Sequence, residues 1–358
     1  MKRSSGLTPG QLIIQLFKDP DRKSIARILA ELVYLTFVFK TIPIHYVSRF
    51  LFKKERTNIG DYFPSKVLYN IKPYFNEKAV VEVLENKLFF DFFYRQFDIS
   101  LPKILMYNYR NAFIFNKKSI LVNSPDQFRL LLQEVFKINN IKDSIFVKRT
   151  YGTYGGKGIY KIALNQLEQD SPLIKDYFNE VIKTGYLFQE TIKQHPELDK
   201  LNPSCVNTIR IDSFRNPDGE VELITAYIRT SMSNHYVDNT GSGGGWISVD
   251  MPTGRLEAKG YKSLKDGGIT LLDEHPVTHT VFKDYTIPFF EEAKQLVIQV
   301  AGYVPNLRLI GWDVAIGESG PILVEGNSDY DVAGTDFVAR GARSNPVFRK
   351  VLKEINYL

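Results

Sequence analysis

The residues best suited to chemistry occur first in a glycine-rich stretch, residues 144–162. An apolar run of β type at residues 145–147 leads to Lys148, a glycine-rich segment follows, and a second apolar run occupies residues 159–162. The segment between the runs holds four glycines and a second lysine, which are Gly152, Gly155, Gly156, Gly158 and Lys157. Glycines let backbone N–H groups turn toward a phosphate without a Cβ in the way, and lysines add positive charge. We therefore predict a strand, a loop that covers a polyphosphate, and a second strand.

Other interpretations of this glycine-rich stretch are a different phosphate-binding motif or a hairpin without a ligand. The spacing of its glycines is not that of a P-loop, and no helical pattern follows, so neither a P-loop nor a Rossmann turn is supported. A glycine-rich hairpin with surface lysines is the alternative that the sequence leaves open, because short glycine motifs match many unrelated chains.

A second group of chemically capable residues lies near the C-terminus, where residues 309–316 and 321–327 are typical of two strands joined by a short turn. Glu325 and Asn327 are two residues apart on one strand, so their side chains project from the same face. Asp313 falls nearly opposite them on the partner strand. Hard cations prefer carboxylate and amide oxygens, and we predict a site for one or two such ions. A slip of one residue would send Asp313 to the other face, and surface exposure of these residues is the alternative.

Between these two groups the pattern indicates further strands and a second glycine cluster. Residues 187–192 form a short strand that ends in a polar hinge, and residues 206–212 and 221–229 form two strands joined by a turn. Alternation along the first strand of this pair places three polar side chains on one face, which are Thr208, Arg210 and Asp212. The glycine cluster at residues 238–245 is either a flexible loop tip or a backbone surface that a substrate can approach closely.

The elements that position these groups begin upstream of the glycine-rich stretch. Residues 82–97 show a helical apolar pattern, and residues 104–107 and 112–115 are predicted to pair as short strands. Ser124 and Pro125 are typical of the N-cap and the first position of a helix, which runs to residue 136 and leads into the central strand.

The composition is that of a folded globular protein. The chain has 358 residues, 44% of them hydrophobic and 13% aromatic, so disorder is excluded and a large core is expected. The single cysteine, Cys205, excludes an internal disulfide framework and a cysteine-based metal site, and it fits a reducing compartment. We find no pattern typical of a cleavable signal peptide. The histidines have no metal-binding spacing, and no Ser-His-Asp or Cys-His arrangement is indicated.

The formal charge of +6 is concentrated at the N-terminus. Residues 1–56 carry eleven Lys and Arg against four Asp and Glu, a net of +7, so the rest of the chain is close to neutral. The main body therefore lacks the basic footprint of a nucleic-acid-binding protein.

The same N-terminal segment is strongly apolar over residues 28–52, but charged residues and a proline interrupt it. It is too broken for a spanning helix, which needs about 20 consecutive apolar residues. Two interpretations stay open: a basic amphipathic pair of helices on an anionic membrane surface, or a helical hairpin packed on the body of the protein.

The order of these features resembles that of the ATP-grasp superfamily: a strand lysine before a glycine loop, a Gln-Glu hinge, and a terminal hairpin with Asp…Glu-x-Asn. The chain resembles in particular the sugar-transfer associated ATP-grasp group through LFQETIKQHPELDKLNPSCVNTIRI, YVDNTGSGGGWISVD, TGRL and GWDVAI…GPILVEGN. The resemblance covers about residues 80–340. It implies an α+β fold of the ATP-grasp type, in which two α+β subdomains clasp the nucleotide, preceded by a helical N-terminal region.

We predict a division into domains, in which the resemblance supplies the ATP-grasp part and the segment before residue 59 matches nothing in that family. Residues 1–58 would be a basic, apolar helical extension and residues 59–103 a helical region before the ATP-grasp domain. The ATP-grasp domain would occupy residues 104–358. Within it, residues 104–189 would form a lid subdomain with the glycine loop, and residues 190–358 a catalytic subdomain with the metal-binding hairpin.

Residue by residue, the resemblance implies a set of nucleotide contacts. Lys148 looks like the lysine that contacts the α- and β-phosphates, and Lys87 resembles the usual upstream lysine. The loop that closes over the phosphates would comprise Gly152, Tyr154, Gly155, Gly156, Lys157 and Gly158. The hinge that reads adenine would comprise Gln189, Glu190, Thr191 and Ile192, and Glu197 is a candidate for the ribose.

Catalytic, metal and substrate groups follow in the same way. Asp313, Glu325 and Asn327 look like ligands of Mg²⁺. Arg210 and Arg229 stand where superfamily members place cations that stabilise the transferring phosphoryl group or its acyl-phosphate product. An Asn…Gly-Gly element resembles that of the glutamate-ligase branch, and the substrate candidates are Asn207, Asp238, Asn239, Gly243 and Gly244.

Together these parts imply a ligase that depends on ATP and Mg²⁺. A carboxylate attacks the γ-phosphate of ATP, and an amine then captures the acyl phosphate to give an amide, ADP and phosphate. The family's link to sugar transfer implies an amino acid or other carboxylate joined to an amino, uronic or lipid-linked sugar in cell-surface polysaccharide assembly. A phosphotransferase whose acceptor keeps the phosphate, and a nucleotide-binding scaffold without catalysis at the membrane surface, are the alternatives. We expect a cytoplasmic protein without a nucleic-acid partner, and peripheral membrane contact through residues 1–56 is one of the two interpretations left open for that segment.

Overall fold

The computed structural model describes residues 16–17, 19–152, 158–168, 171–236, 244–263 and 269–357. Within them, helices and two antiparallel sheets form an α+β fold, the class that the sequence predicts. The helices are α1 Ile25–Phe39, α2 Ile44–Ser48, α3 Ser65–Phe75, α4 Glu82–Glu85, α5 Lys87–Tyr94, α6 Pro125–Ile138, α7 Pro172–Val181, α8 Pro196–Leu201, α9 Phe290–Gly302, α10 Val332–Val338 and α11 Pro346–Glu354.

The first sheet contains the strand that carries Lys148. Its strands are β1 Ile104–Tyr109, β2 Ala112–Phe115, β3 Lys118–Leu121, β4 Ser144–Arg149, β5 Ile159–Ala163 and β6 Gly185–Glu190, in the spatial order β3-β2-β1-β6-β4-β5. One face of this sheet is apolar and packs against α6 and α7 through buried side chains such as Val147 and Phe188. The other face is left for the cleft described below.

The second sheet contains the C-terminal hairpin. Its strands are β7 Thr208–Arg215, β8 Val221–Ser231, β9 Gly244–Val249, β10 Leu256–Ser263, β11 Ile269–Leu272, β12 Leu309–Gly317 and β13 Gly320–Asn327, in the order β11-β10-β9-β8-β7-β12-β13. Side chains on one face, among them Ile209, Ile228 and Val314, are fully buried and pack with α9. Because strand side chains alternate, the opposite face receives Arg210, Arg229 and Asp313.

Several local predictions upstream of the first sheet are confirmed. Ser124 caps α6 by accepting a hydrogen bond from the Gln127 N–H at 3.2 Å, and Pro125 occupies the first turn. β1 and β2 pair as predicted, with Tyr107 opposite Ile114. The β3 strand was not among the predicted elements and extends this hairpin at the edge of the sheet.

The single helix predicted over residues 82–97 is wrong, because the structure divides it at Asn86. Asn86 has an extended backbone, and its side-chain oxygen accepts hydrogen bonds from the N–H groups of Leu88 (3.1 Å) and Phe89 (3.4 Å). An asparagine that caps a helix in this way starts a new one. The break makes Lys87 the first residue of α5, and its N–H donates to the Thr150 carbonyl at the end of β4 (2.9 Å).

The N-terminal segment folds as a helical hairpin on the body of the protein. Ile28 and Leu35 of α1 are buried in a cluster with Tyr46 and Phe52. Arg49 reaches the body and forms a buried ion pair with Asp336 of α10, at 3.1 Å. In the part of the chain that the structure describes, no helix has the length and apolar content needed to cross a membrane. The predicted domain boundaries stay predictions.

Candidate active site

A cleft lies between the two sheets and is lined by residues from both sheets and from α5. Lys148 of β4 and Gln189 of β6 line it from the first sheet, Glu325 of β13 lines it from the second, and Lys87 and Asp91 line it from α5. The side chains of Phe90, Leu101, Pro102 and Val324 complete the lining. The cleft thus combines an apolar wall with charges of both signs, the composition expected where a nucleotide's base and phosphates are held together.

The register of the C-terminal hairpin brings the three predicted metal ligands together. Asp313 lies directly opposite Glu325, and Gly311 lies opposite Asn327. The Asn327 side-chain nitrogen is 3.5 Å from Asp313 Oδ2 and 3.4 Å from Glu325 Oε1. The pairing is irregular between residues 313 and 314, where Val324 is an extra residue on β13, and this bulge sets Glu325 rather than Val324 opposite Asp313. Asp313, Glu325 and Asn327 therefore share one face of the sheet.

Asp313 is held by two arginines from neighbouring strands. Arg210 Nε lies 2.6 Å from Asp313 Oδ1 and Arg210 Nη2 lies 3.1 Å from Oδ2, while Arg229 Nη2 lies 2.8 Å from Oδ2. Arg210 stands opposite Asp313 in the β7–β12 ladder, and Arg229 stands opposite Thr208 in the β7–β8 ladder. The Asp313 side chain has no exposed surface. Burial alone would lower the pKa of Arg210, but the negative charge of Asp313 raises that pKa above its usual value.

Glu325 has a different cationic partner, Lys87, whose Nζ lies 3.3 Å from Glu325 Oε2. Burial alone would raise the pKa of Glu325, but Lys87 and, at longer range, the two arginines hold that pKa well below its usual value. Glu325 is therefore a carboxylate at neutral pH. Lys87, Lys148, Arg210 and Arg229 thus stand against Asp313 and Glu325, while the third carboxylate of the cleft, Asp91, is paired with Arg95. This leaves an excess of positive charge that suits a polyphosphate.

The donor set fits a hard cation such as Mg²⁺. Two carboxylates and one amide supply oxygen ligands. Asp313 Oδ2 already accepts from both arginines, but Oδ1 accepts from Arg210 Nε alone among the described contacts, and this leaves a lone pair for a cation. Among the described residues, no three His, Cys, Asp or Glu side chains converge to hold a metal by themselves. Asn327 or phosphate oxygens must then complete the coordination, as is usual for Mg²⁺ in nucleotide sites.

The glycine loop begins and ends as predicted. Gly152 and Gly158 have positive φ angles of 72° and 70°, a conformation that favours glycine, and among the described residues no atom lies within 4 Å of a Cβ built on Gly152. β4 and β5 flank the loop and pair with each other, which confirms the two predicted strands. Four predicted loop residues, Tyr154, Gly155, Gly156 and Lys157, lie outside the described residues.

The hinge at the end of β6 connects the two sheets. Gln189 is buried opposite Phe146, and the Thr191 hydroxyl donates to the Ser144 carbonyl at 2.7 Å. The Glu190 N–H donates to the Lys103 carbonyl, and the Glu190 carboxylate accepts from the Lys103 N–H, both at 3.0 Å. The N–H of Glu190 is therefore committed within the protein and is not the group that would read adenine.

Two further predicted nucleotide residues follow the hinge. Ile192 is half-buried and stands just before the bridge in which Gln194 pairs with Gly317 at the end of β12. Glu197 lies on α8, where its carboxylate pairs with Lys200 at 2.6 Å, and it is absent from the cleft lining. The structure thus brings Ile192, but not Glu197, to the junction of the sheets.

Asn207 does not offer a surface to a substrate, contrary to the sequence prediction. It is fully buried, and its amide donates to Gln194 Oε1 (3.0 Å) and to the carbonyls of Leu198 and Asn202 (both 2.9 Å). These bonds fasten the segment after the hinge to β7. The sequence carries no local signal that separates such a structural asparagine from a ligand-binding one.

The predicted substrate element is described only at its end. Gly244 is buried at the start of β9, opposite Ser231. The next residue, Gly245, leaves no room for a side chain, because a Cβ there would lie 2.4 Å from the Tyr261 carbonyl oxygen. Asp238, Asn239 and Gly243 lie outside the described residues.

The structure adds residues that sequence reasoning missed. Asp91 lines the cleft, and its carboxylate accepts hydrogen bonds from Arg95 Nε (2.8 Å) and Arg95 Nη2 (2.5 Å). The sequence feature that could have pointed to Asp91 is its position as an isolated acid in the aromatic run of α5. Glu85 accepts hydrogen bonds from the Ser328 N–H (2.9 Å), the Ser328 hydroxyl (2.6 Å) and the Asp329 N–H (3.2 Å). Glu85 therefore anchors the chain immediately after Asn327.

Asp212 is a buried carboxylate next to the arginine pair. Its Oδ2 accepts from the hydroxyls of Thr225 (3.1 Å) and Thr335 (2.7 Å), and its Oδ1 has no hydrogen-bond partner within the described residues. Burial raises the pKa of Asp212 from 3.8 to about 6, against the pull of Arg210. The sequence placed Asp212 on the correct face but did not indicate that it would be enclosed.

A family model described as sugar-transfer associated ATP-grasp matches residues 69–351. No curated protein matches significantly. Similar solved structures include an ADP complex of N5-carboxyaminoimidazole ribonucleotide synthetase (10% identity, TM-score 0.41, covering 76% of this chain and 51% of that one) and the D-alanyl-alanine synthetase A of Vibrio cholerae (13%, 0.39, 76% and 61%). The biotin carboxylase domain of Hydrogenobacter thermophilus 2-oxoglutarate carboxylase is similar as well (12%, 0.41, 78% and 47%). The chain therefore spans about half to three fifths of the length of these proteins. These structural likenesses are too distant to carry an argument about the site, whereas the family match confirms the ATP-grasp fold expected from the sequence.

Proposed function

Because the chain belongs to the sugar-transfer associated ATP-grasp family, we propose that it is a ligase that joins a carboxylate to an amine at the expense of ATP, with Mg²⁺ as cofactor. By its family the chain is an ATP-grasp enzyme; the reaction and the residues that carry it are the proposal. One observation supports it most directly. Lys148 and Lys87 line the same cleft as Glu325, and Glu325 shares one sheet face with Asp313 and Asn327.

The charges around this cleft support binding of the triphosphate. Lys148 would contact the α- and β-phosphates, and Lys87 stands on the other wall beside Glu325. Asp313, Glu325 and Asn327 would hold Mg²⁺, which would neutralise charge on the phosphate oxygens. Arg210 and Arg229 keep Asp313 fixed and contribute positive potential to the side of the sheet where the γ-phosphate would lie.

The proposed chemistry has two steps. A carboxylate oxygen of the first substrate attacks the γ-phosphorus, the bond to the bridging oxygen breaks, and ADP leaves. The amine of the second substrate then attacks the acyl carbon, phosphate leaves with the oxygen that came from the carboxylate, and the amine loses a proton. A nucleophile from the protein is not required. Closure of the glycine loop would keep water from the acyl phosphate between the steps.

The identity of the acceptor follows from the family description alone. We propose that an amino acid or related carboxylate is joined to an amino, uronic or lipid-linked sugar in cell-surface polysaccharide assembly. A screen of ADP release by the purified protein, with amino acids paired with nucleotide-activated or lipid-linked sugars, tests this assignment. The expected result is ADP release that requires both substrates and Mg²⁺.

The products distinguish the proposed ligase from its rivals. With heavy oxygen in the substrate carboxylate, an acyl-phosphate route places one labelled oxygen in the released phosphate and yields an amide. A stable phosphorylated acceptor without amide would instead identify a phosphotransferase. ATP binding without ADP release on any substrate pair would favour a nucleotide-binding scaffold.

A matched pair of variants ties the activity to the proposed site. Glu325→Gln removes a charge from the cleft and should abolish ADP release. Glu318→Gln makes the same change at the exposed turn of the same hairpin, where Glu318 pairs only with Lys193 among its described ion pairs, and should leave activity intact. Equal activity of the two variants would exclude the hairpin as the metal site.

A further inference from the structure

The outward face of α1 is apolar where a surface helix is normally polar. Residues that lie on one side of the helix are exposed, including Phe37 (84%), Val33 (70%) and Leu29 (58%). Ile42 (77%) and Ile44 continue this surface past the end of the helix. Apart from Arg27 at its edge and Thr36, the exposed arc of α1 holds hydrophobic side chains, which are Ile25, Ala26, Leu29, Ala30, Val33, Tyr34, Phe37 and Val38. We call Leu29, Val33, Phe37, Ile42 and Ile44 the apolar ridge.

The apolar ridge is not the face that holds α1 to the protein. The inward side of α1 carries Ile28 and Leu35, which are buried. It also carries Glu31, which accepts from Lys23 Nζ at 2.8 Å and from the Tyr46 hydroxyl at 2.6 Å. These contacts fix the rotation of the helix about its own axis. Because the rotation is fixed, the apolar ridge faces away from the described body. A rotation of α1 that buried the ridge would expose the ion pair between Lys23 and Glu31.

An exposed apolar surface of this kind marks a site of interaction with a protein or a membrane. The charges beside it select between these partners. Arg27 stands at one end of the apolar ridge and Lys40 at the other, and residues 1–56 carry a net charge of +7. Two copies of the chain packed through this surface would bring two such basic segments together, which electrostatic repulsion opposes. An anionic lipid surface supplies the complementary charge.

The shape of the apolar ridge also fits a lipid surface. α1 has 15 residues and is therefore about 22 Å long, shorter than the hydrocarbon core of about 30 Å. A single convex helix exposes its apolar side chains over a wide arc, and a bilayer surface can accept such an arc without a preformed groove. A helix of this type lies parallel to the membrane with its bulky residues among the acyl chains and its flanking Lys and Arg at the headgroups.

We propose that the apolar ridge docks the protein on the surface of an anionic bilayer, without spanning it. The N-terminal hairpin is connected to the candidate active site through α10, where Arg49 pairs with Asp336 and Phe50 packs against Phe337. Phe337 in turn contacts Trp246 and Tyr261 on the polar side of the second sheet. Docking would thus hold that side of the sheet at a set orientation to the membrane, where a lipid-linked acceptor would be presented.

The test uses the full chain and vesicles of two compositions, phosphatidylcholine alone and a mixture with phosphatidylglycerol. We expect the protein to sediment with the anionic vesicles at low salt and to be released at high salt. The double variant Val33→Glu with Phe37→Glu should weaken binding by at least about a hundredfold, because two large apolar side chains no longer enter the membrane. Arg27→Gln with Lys40→Gln should weaken it by about fivefold for each base removed.

A matched control separates docking from general loss of hydrophobic surface. Leu121→Glu makes the same kind of change at an edge strand of the first sheet, where the side chain is similarly exposed, and should leave vesicle binding unchanged. ADP release without vesicles should be the same for all variants, since none of these residues lies at the cleft. Thermal unfolding should shift little, because Arg27→Gln removes only an exposed ion pair with Glu31 and the other substitutions are at exposed positions.

Three outcomes would overturn the proposal. The first is that the full chain binds neither kind of vesicle. The second is that the double variant binds as well as the parent protein. The third is that the parent is a dimer by light scattering and the double variant is a monomer, with no vesicle binding by either. A failure of ADP release in the substrate screen would count against the proposed ligase activity and leave the vesicle result standing.

Discussion

Replacement of Asp313 with asparagine should destabilise the second sheet before any nucleotide is bound. Asp313 has no exposed surface, and the side chains of its partners Arg210 and Arg229 are only 7% and 14% exposed. The Asn side chain has almost the same shape but no charge, so it removes from both buried guanidinium groups the charge that Asp313 supplies. The prediction therefore isolates an electrostatic effect.

The size of the effect follows from the burial of the three groups. Removal of one partner from a buried ion pair costs about 3–5 kcal/mol, because the remaining charge has lost water without compensation. The amide oxygen of Asn can still accept one hydrogen bond, so we expect about 3 kcal/mol for Asp313→Asn. Glu325→Gln breaks the pair with Lys87, whose charge is partly exposed to water, so we expect a smaller loss than for Asp313→Asn.

Urea unfolding followed by tryptophan fluorescence measures this difference. The chain has two tryptophans, Trp246 on β9 and Trp312 on β12, and both belong to the second sheet. Trp312 is fully buried and immediately precedes Asp313, so its emission reports on the strand that carries the substitution. The measurement is made without ATP or metal, and Glu325→Gln serves as the control.

A result in which both variants unfold at the same urea concentration as the parent would refute the reasoning. It would mean that Asp313 is not paired with Arg210 and Arg229 in the unliganded protein. A second titration, of ATP affinity against Mg²⁺ concentration, then asks whether Asp313 also holds the metal. Loss of the Mg²⁺ dependence in Asp313→Asn is expected if it does.

Three further predictions concern neighbouring groups. Asp212→Asn should stabilise the protein by about 3 kcal/mol near pH 7. The pKa of Asp212 is about 6 in the folded protein against 3.8 in the unfolded chain, so the free energy of unfolding of the parent falls as the pH rises between these values. Unfolding measured across this pH range should show no such fall in the variant, and parallel pH curves for variant and parent would contradict the prediction. Lys148→Met should weaken ATP binding, measured by calorimetry, by roughly ten- to a hundredfold, because one hydrogen bond to a charged group contributes about that much affinity. Unchanged affinity would show that Lys148 does not contact the phosphates. Glu85→Ala deletes three hydrogen bonds that anchor the chain after Asn327. We expect kcat to fall by at least about tenfold, with little change in the KM for ATP. A change in KM alone would show that Glu85 does not position the metal ligands.

The C-terminal hairpin shows how much of the candidate site could be predicted from the sequence. Its turn is short, and strand side chains alternate with a period of two, so the turn sets the register and the register sets the face. That register alone would place Asp313 opposite Val324, and a bulge between Asp313 and Val314 shifts it by one residue so that Asp313 lies opposite Glu325. The sequence predicted the hairpin and the three side chains but gave no signal for this bulge. The alternation on β7 likewise placed Arg210 and Asp212 on one face.

Contacts between distant strands could not be predicted in this way. Arg210 and Asp313 meet because β12 inserts beside β7, although about a hundred residues separate them along the chain. Lys87 reaches Glu325 only because Asn86 ends one helix and starts another, which turns Lys87 toward the end of β4. Asn207 was assigned to the substrate on a resemblance, and the structure buries it in the network after the hinge.

For this protein the sequence by itself determined most of the local strands and helices, the C-terminal hairpin with its short turn, and the excess of charge at the N-terminus. Each of these depends on residues that are close along the chain, where backbone geometry and side-chain periodicity act directly. Only the tertiary structure decided which charges are paired, which carboxylates are enclosed and which side of α1 faces outward. Those outcomes depend on how strands and helices from distant parts of the chain exclude water from one another.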